Sequence, residues 1–280
     1  MNNKITSPPR LQPSLIATAR DGAQLAYKIY PGSGEARYAL VHSLAMDASF
    51  WNRMLEDLCK YGDVLVYDCR GHGISSKTPG PYTGEQFADD LADLLDAVGW
   101  TSAIIAGASM GGCVSLAFAD AYPEKVDALG LIDTTSWYGP EAPAQWEDRA
   151  QKALVSGLAG LIEFQKARWL SEGFRQANPN IVDEAVAIFL LNNVAAYAET
   201  CRMLGHFDKR DALSRISAPT SIIVGEEGYA APVAMAEFMH QGINNSTISI
   251  FPGVRHLTPL ECPELVAAKL GELAKNIRQA

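Results

Sequence analysis

Residues 107–111 read Gly-Ala-Ser-Met-Gly and lie where a short apolar run, residues 103–106, gives way to a helical pattern. A strand-to-helix turn this tight strains the backbone and leaves no room for a Cβ two residues before or after its corner, so glycines flank it. Ser109 would then lie at a helix N-terminus, where free amides and the helix dipole favour an anion forming on a substrate. The pattern predicts a nucleophilic serine.

A serine hydroxyl is a weak nucleophile and needs a base and amide donors for the oxyanion. Of the five histidines, His256 is the one in a loop after the last apolar strand, and we assign it as the base. The residue after the nucleophile, Met110, supplies one backbone donor, and Leu44, in the loop after an earlier strand, supplies the second. These four residues together predict acyl-transfer chemistry.

The elements that must position these residues alternate along the chain. We predict strands at 14–19, 25–30, 38–42, 64–68, 102–106, 126–132, 220–224 and 247–251, and helices at 47–61, 84–98, 109–121, 230–241 and 262–278. The alternation predicts an α/β protein with a mostly parallel, eight-stranded sheet and helices on both faces.

Residues 137–212 interrupt that alternation, because they are helical throughout and contain no convincing strand. An insertion at this place would lie over the serine, so we divide the chain into a core, residues 1–136 and 213–280, and a helical cap, residues 137–212. Most aromatic residues of the cap are expected to form its own small core, with one or two facing a substrate. Residues 1–13 are polar and rich in proline and are predicted to be disordered.

Composition narrows the classes of partner and the compartment. The chain has 280 residues and a net charge of −9, which argues against nucleic acid and anionic membranes, so any preference for an anionic substrate must come from local arginines. No segment approaches 18 continuous apolar residues, and the five cysteines form no C-x-x-C pair. We expect a cytoplasmic protein without a cofactor or metal, acting on a small molecule; a homodimer is one option for its oligomeric state.

Several segments resemble the α/β-hydrolase fold superfamily over residues 14–278. They are residues 42–44 (His-Ser-Leu), 67–75 (Tyr-Asp-Cys-Arg-Gly-His-Gly-Ile-Ser), 107–112, 218–226, and His256 ahead of 261–264 (Glu-Cys-Pro-Glu). Residues 80–83, Gly-Pro-Tyr-Thr, and the Ser-Leu pair at 43–44 are most similar to 3-oxoadipate enol-lactonases and neighbouring carboxylesterases. The resemblance implies a cofactor-free hydrolase that cleaves an ester or lactone through an acyl-enzyme.

The acid that orients the histidine departs from this pattern. In the family it usually lies three residues after the glycine that ends the strand before the penultimate helix. That glycine is Gly225, and the residue three positions later is Gly228, so the usual aspartate is missing.

Three alternatives remain for the acid. Asp133, at the end of the preceding core strand, occupies a position that some members of the fold use, although it could instead cap the turn at 134–135. Glu227 or Glu226 could reach the histidine, although a solvated acidic loop is the other interpretation, more so for Glu226. The site could also work as a dyad or not hydrolyse at all. We take Asp133 as the third catalytic residue.

The nucleophile and the cap leave further options for function. By resemblance, haloalkane dehalogenases and epoxide hydrolases would have an aspartate nucleophile at this position. The serine at 109 therefore argues against both classes. Carbon–carbon bond hydrolysis and perhydrolysis share this machinery and stay open, as does a slow or inactive ligand-binding member of the fold. Arg168 and Arg202 are candidates to pair with a substrate carboxylate, as an enol-lactone acid would require, although a solvated position is the simpler expectation for each.

Overall fold

The computed structural model describes residues 14–277, so the segment 1–13 that the sequence predicts to be disordered and the last residues, 278–280, lie outside it. Eight strands form one sheet in the order β1-β2-β4-β3-β5-β6-β7-β8. The strands are β1 Leu15–Thr18, β2 Gln24–Tyr30, β3 Ala36–Val41, β4 Gly62–Tyr67, β5 Ala103–Ala108, β6 Val126–Ile132, β7 Thr220–Gly225 and β8 Ser246–Phe251.

The sheet is parallel from β4 to β8, while β1 and β2 pair antiparallel with each other and β2 pairs antiparallel with β4. Every residue of β5 and of β7 is buried. Because alternate side chains of a strand point to opposite faces, this burial means that both faces of the central sheet are covered. The carboxyl ends of β3, β5, β6 and β7 meet at one edge, where the predicted site residues begin.

The helices are α1 Leu55–Leu58, α2 Gly84–Ala97, α3 Met110–Ala121, α4 Ala142–Ser156, α5 Ile162–Trp169, α6 Glu172–Ala177, α7 Pro179–Leu190, α8 Val194–His206, α9 Val233–Gly242, α10 Thr258–Glu261 and α11 Pro263–Ile277. The single helix predicted over 47–61 is wrong: a 3-10 turn at Ala48–Trp51 and the short α1 replace it. Its apolar residues Phe50, Met54 and Leu58 are nevertheless buried, because two short helical turns keep them on the inner side.

The cap segment, which we define as residues 137–212, contains α4 to α8 and leaves the core between β6 and β7. Its two ends are joined by an antiparallel bridge between Trp137 and Asp208, and the Lys209 amide donates to the Ser136 carbonyl at 2.9 Å. These contacts close the base of the insertion beside the end of β6.

Within residues 14–277, no single helix is long and apolar enough to cross a membrane; α7 and α8 pass that criterion only when taken together, and they are bent by 98° at their junction.

Candidate active site

Ser109 forms the corner between β5 and α3, with a left-handed φ of 55° that is rare for a residue with a side chain. A Cβ on Gly107 would lie 2.0 Å from the Gly111 carbonyl oxygen, and one on Gly111 would lie 2.0 Å from the Val41 carbonyl oxygen. The two glycines are therefore required by close backbone packing on both sides of the corner, as the sequence predicts. The Ser109 amide donates to the Ile132 carbonyl at 2.8 Å, which ties the corner to β6.

His256 and Ser109 are brought together although they are 147 residues apart in the sequence. The Oγ of Ser109 lies 2.9 Å from Nε2 of His256, within hydrogen-bond distance, and both residues are buried. Burial, and then the positive charges of Arg168 and Arg149, together lower the pKa of His256 to about 3. The imidazole is therefore held neutral, with a nitrogen placed to take the serine proton.

The other nitrogen of His256, Nδ1, is buried and has no hydrogen-bond partner among residues 14–277. Glu227 does not supply one, because its carboxylate pairs with the Arg255 guanidinium at 3.0 Å and is 43% exposed. Glu226 accepts from the Gly253 amide at 3.3 Å instead. The structure therefore does not bring either glutamate to the imidazole.

Asp133 is buried beside the loop that carries His256. Its Oδ1 accepts from the Gly225 amide at 3.0 Å and its Oδ2 from the Thr258 amide at 2.9 Å, so it does not cap its own turn. Burial raises the pKa of Asp133 to about 7, even though the two amide bonds act to lower it. The carboxylate thus joins the end of β7 to the residues after His256, but it makes no hydrogen bond to the imidazole.

The two residues predicted to supply amides for an oxyanion follow β3 and Ser109, respectively. Met110 begins α3, and Leu44 follows β3 and lines a cavity together with Ser109 and His256. His42 fixes the Leu44 loop: its Nε2 accepts from the Cys69 amide at 3.0 Å, so the proton is on Nδ1, which donates to the Ser43 carbonyl at 2.8 Å. Burial lowers the pKa of His42, which keeps this bridge neutral. The sequence did not reveal that role.

The cap segment supplies the other wall of the cavity. The lining residues from the cap are Tyr138, Trp146, Arg149, Gln165, Arg168 and Trp169. A wider space of about 650 Å³ adjoins this cavity and shares Arg149 and Arg168 with it. Of the two arginines that the sequence singled out, Arg168 faces this space, whereas Arg202 is paired with Glu147 at 2.7 Å and Glu199 at 2.5 Å.

Arg149 lines the cavity, and the sequence did not single it out. Arg149 lies on the same face of α4 as Ala142, Trp146 and Ala153. A cationic residue therefore interrupts the helix face that packs inward. That interruption is the signal in the sequence that could have identified it.

The loop that carries His256 is also held by the cap segment. The Trp169 carbonyl accepts from both the His256 amide, at 3.1 Å, and the Leu257 amide, at 2.9 Å. The Arg255 guanidinium donates to the Ala167 carbonyl at 2.8 Å. The position of the predicted base therefore depends on the end of α5.

Three features together define a class of protein. They are the eight-stranded, mostly parallel sheet, the strained serine between β5 and α3, and the histidine after β8. A family model for the alpha/beta hydrolase fold matches residues 39–263. The chain belongs to this family.

Individual relatives are similar over nearly the whole chain. The 3-oxoadipate enol-lactonase 2 of Acinetobacter baylyi is 31% identical and covers 88% of this chain and 91% of its own length. The crystal structure of the enol-lactonase from Burkholderia xenovorans has a TM-score of 0.89, with 27% identity, and covers 93% of this chain and 100% of its own. A thermophilic esterase from Thermogutta terrifontis, with malate bound, has a TM-score of 0.88 and 28% identity and covers 95% of this chain and 99% of its own.

Proposed function

We propose that the protein is a serine hydrolase that cleaves a small-molecule carboxylic ester or lactone through an acyl-enzyme. The observation that carries the proposal is the contact of 2.9 Å between Ser109 Oγ and His256 Nε2 at a strained strand-to-helix corner. The enol-lactonases and the esterase to which the chain is similar support an ester or lactone as the bond that is cleaved.

In this reaction Ser109 attacks the carbonyl carbon while His256 takes its proton. The Leu44 and Met110 amides stabilise the negative charge that forms on the carbonyl oxygen. His256 then gives the proton to the leaving oxygen, and the ester bond to that oxygen breaks. Water, deprotonated by the same imidazole, releases the acyl group and restores the serine.

We propose Asp133 as the acidic member of the site, acting on the loop that carries the base. Its two amide contacts fix Gly225 and Thr258, and Thr258 lies two residues beyond His256. The carboxylate has lone pairs left after these two bonds, but Nδ1 of His256 has no partner among residues 14–277, so Asp133 makes no direct bond to the imidazole. Asp133 is therefore a positioning residue in this arrangement.

The relatives also suggest the kind of substrate and the location. One is named for 3-oxoadipate, and another was solved with malate, so small acids recur among them. We propose a small acidic ester or lactone for this chain, with the helices of the cap segment covering the bound substrate. The five cysteines form no disulfide, in keeping with our proposal of a reducing cytoplasmic location.

Hydrolysis of p-nitrophenyl acetate, with labelling by a fluorophosphonate, tests the serine mechanism. We expect turnover by the wild type, loss of turnover in Ser109→Ala, and a covalent adduct on Ser109 by mass spectrometry. Ser115→Ala is the matched control, since its hydroxyl is also buried in α3 but bonds to the Gly111 carbonyl at 2.8 Å. Full activity of Ser109→Ala, or no turnover by the wild type, would refute the proposal.

A ligand-binding protein without turnover is the second candidate, and the unpartnered Nδ1 of His256 favours it. An imidazole without an orienting acid can adopt the wrong tautomer, which in a serine protease costs about four orders of magnitude in kcat. Binding of a substrate analogue by a wild type that neither turns over esters nor reacts with the fluorophosphonate would support this candidate.

A further inference from the structure

Two half-buried guanidinium groups face the cavity without a carboxylate to neutralise them. Among residues 14–277, neither Arg149 nor Arg168 forms an ion pair with an acidic residue, whereas Arg202, on the same cap segment, is paired with Glu147 and Glu199. Uncompensated arginines inside a protein are costly unless a ligand supplies the counter-charge. The protein as a whole carries a net charge of −9, so this local positive charge is against the overall trend.

Neutral groups orient Arg149 without cancelling its charge. Its Nε donates to the Tyr197 hydroxyl at 2.7 Å, and the guanidinium carbon lies 4.8 Å from the Trp146 ring centroid. The Gln165 amide also donates to the Tyr197 hydroxyl, at 3.2 Å, which fixes that hydroxyl from the cavity side. Aromatic faces and a phenol attract a cation but leave its full charge available to a ligand.

Arg168 is held in a similar way and lies near Arg149. Its guanidinium carbon is 5.0 Å from the Phe164 ring centroid and 5.1 Å from that of Tyr229. Burial, and then the neighbouring positive charge of Arg149, lower the pKa of Arg168. The two like charges repel each other, and a single anion placed between them would relieve that repulsion.

The same two charges act on His256, because all three residues line one cavity with Ser109. The imidazole must become positively charged when it takes the serine proton, and two nearby cations oppose that step. In many serine hydrolases a carboxylate on the other side of the imidazole offsets such a cost. Here Nδ1 has no partner, so the cost is not offset within the described residues.

We propose that Arg149 and Arg168 form an anion subsite for a carboxylate carried by the substrate, and that this bound carboxylate takes over the electrostatic role of the acid that is missing at position 228. The inference rests on the proposed serine hydrolase function and adds to it. A carboxylate between the two guanidinium groups neutralises the field that opposes protonation of His256. The substrate charge then raises kcat as well as affinity, so neutral esters are turned over slowly even when they are bound.

Two substrates and three arginine variants test this subsite. The neutral substrate is p-nitrophenyl acetate, and the anionic one is the mono-p-nitrophenyl ester of glutaric acid. For the wild type we expect kcat/KM for the hemiester to be about 10- to 100-fold higher, as charge-assisted hydrogen bonds allow, with part of the gain in kcat. Arg168→Met should lower kcat for the hemiester and raise it for the acetate, because one opposing cation is removed.

Arg149→Met, like Arg168→Met, should lower kcat for the hemiester and raise it for the acetate. Arg202→Met is the control, because Arg202 is on the cap segment but outside the cavity, and it should keep the wild-type ratio of the two rates. A merely structural role would lower both rates together. Free propionate should raise kcat of the wild type for the neutral acetate when chloride maintains the ionic strength.

Binding of glutarate to Ser109→Ala by calorimetry gives a readout that needs no turnover, and Arg168→Met in that background should abolish it. Equal kcat/KM for the two esters, or glutarate binding that survives Arg168→Met, would overturn the subsite while leaving the hydrolase intact. A preference due to KM alone, with no stimulation by propionate, would overturn the electrostatic role. A wild type that turns over neither ester but binds glutarate through these arginines would contradict the hydrolase and support the subsite.

Discussion

Replacing Gly228 by aspartate tests whether the unpaired nitrogen of His256 limits the reaction. The Gly228 Cβ position lies 3.3 Å from the carbonyl oxygen of Arg255, the residue before His256, and 3.0 Å from that of Gly225. Both contacts are tight, so the loop must give by a few tenths of an ångström to admit the side chain. A carboxylate there would approach the imidazole from the position that the family uses for its acid.

The size of the effect follows from the bond that would form. A hydrogen bond to a charged group contributes about 1.5–3 kcal/mol, and if it forms only as the imidazole becomes charged, that corresponds to roughly 10- to 150-fold in kcat. The assay is hydrolysis of p-nitrophenyl acetate under saturating conditions. Gly228→Asn is the matched control, because it has nearly the same shape without the charge, and circular dichroism checks that both variants fold.

Equal activities of folded Gly228→Asp and Gly228→Asn would refute the reasoning. Repeating the substitution in Asp133→Asn shows whether Asp133 already acts on the imidazole. Since Asp133 is bonded to two backbone amides and not to Nδ1, we expect the same gain in both backgrounds. A gain that occurs only without Asp133 would identify that residue as the working acid.

Three further predictions concern titratable groups at or near the site. Because the pKa of His256 is lowered to about 3, the acid limb of kcat/KM for a neutral ester should lie below pH 5; a limb near pH 6.5 would contradict this. Burial raises the pKa of Asp133 to about 7, so the folded state binds more protons than the unfolded state between about pH 4 and pH 7, and wild-type stability falls as pH rises through that window. The free energy of unfolding of Asp133→Asn should therefore rise relative to that of the wild type between pH 4.5 and pH 8, by at most about 4 kcal/mol. Urea unfolding at the two pH values measures this change, and a difference between the two proteins that is independent of pH would contradict the prediction. Glu261 accepts from the Ser171 amide at 3.1 Å and the Arg255 amide at 2.9 Å, and Glu261→Gln should lower kcat by loosening the His256 loop, whereas unchanged kinetics would show that this link is dispensable.

The local parts of the site could be predicted from the sequence because residue type and spacing determine them. Gly107 is required by its contact with Gly111 in the same turn, and Gly111 by its contact with the end of β3; the strand order places His256 at the same edge of the sheet. The family and the mostly parallel sheet are confirmed. The roles of Ser109, His256, Asp133, Leu44 and Met110 stay predictions.

What depends on distant contacts could not be predicted. Which groups Asp133 bonds to depends on how the loops after β7 and β8 meet, which no local pattern encodes. The proposed role of Arg149 depends on the absence of an acidic partner among residues 14–277, and the sequence does not show which residues surround a helix of the cap segment. The expected helix over 47–61 failed for a smaller reason, since its apolar spacing is equally met by two short turns.

The double contact of the Trp169 carbonyl with His256 and Leu257 has a consequence for how such proteins diversify. If the residues that select the substrate and those that do the chemistry lay on separate segments, recombination could replace the cap segment without disturbing the reaction. Here the end of α5 bears directly on the loop with the predicted base. A chimera joined at residues 137 and 212 would inherit a displaced histidine unless residues 253–258 came from the same parent. The cap segment and residues 253–258 are therefore expected to be inherited together.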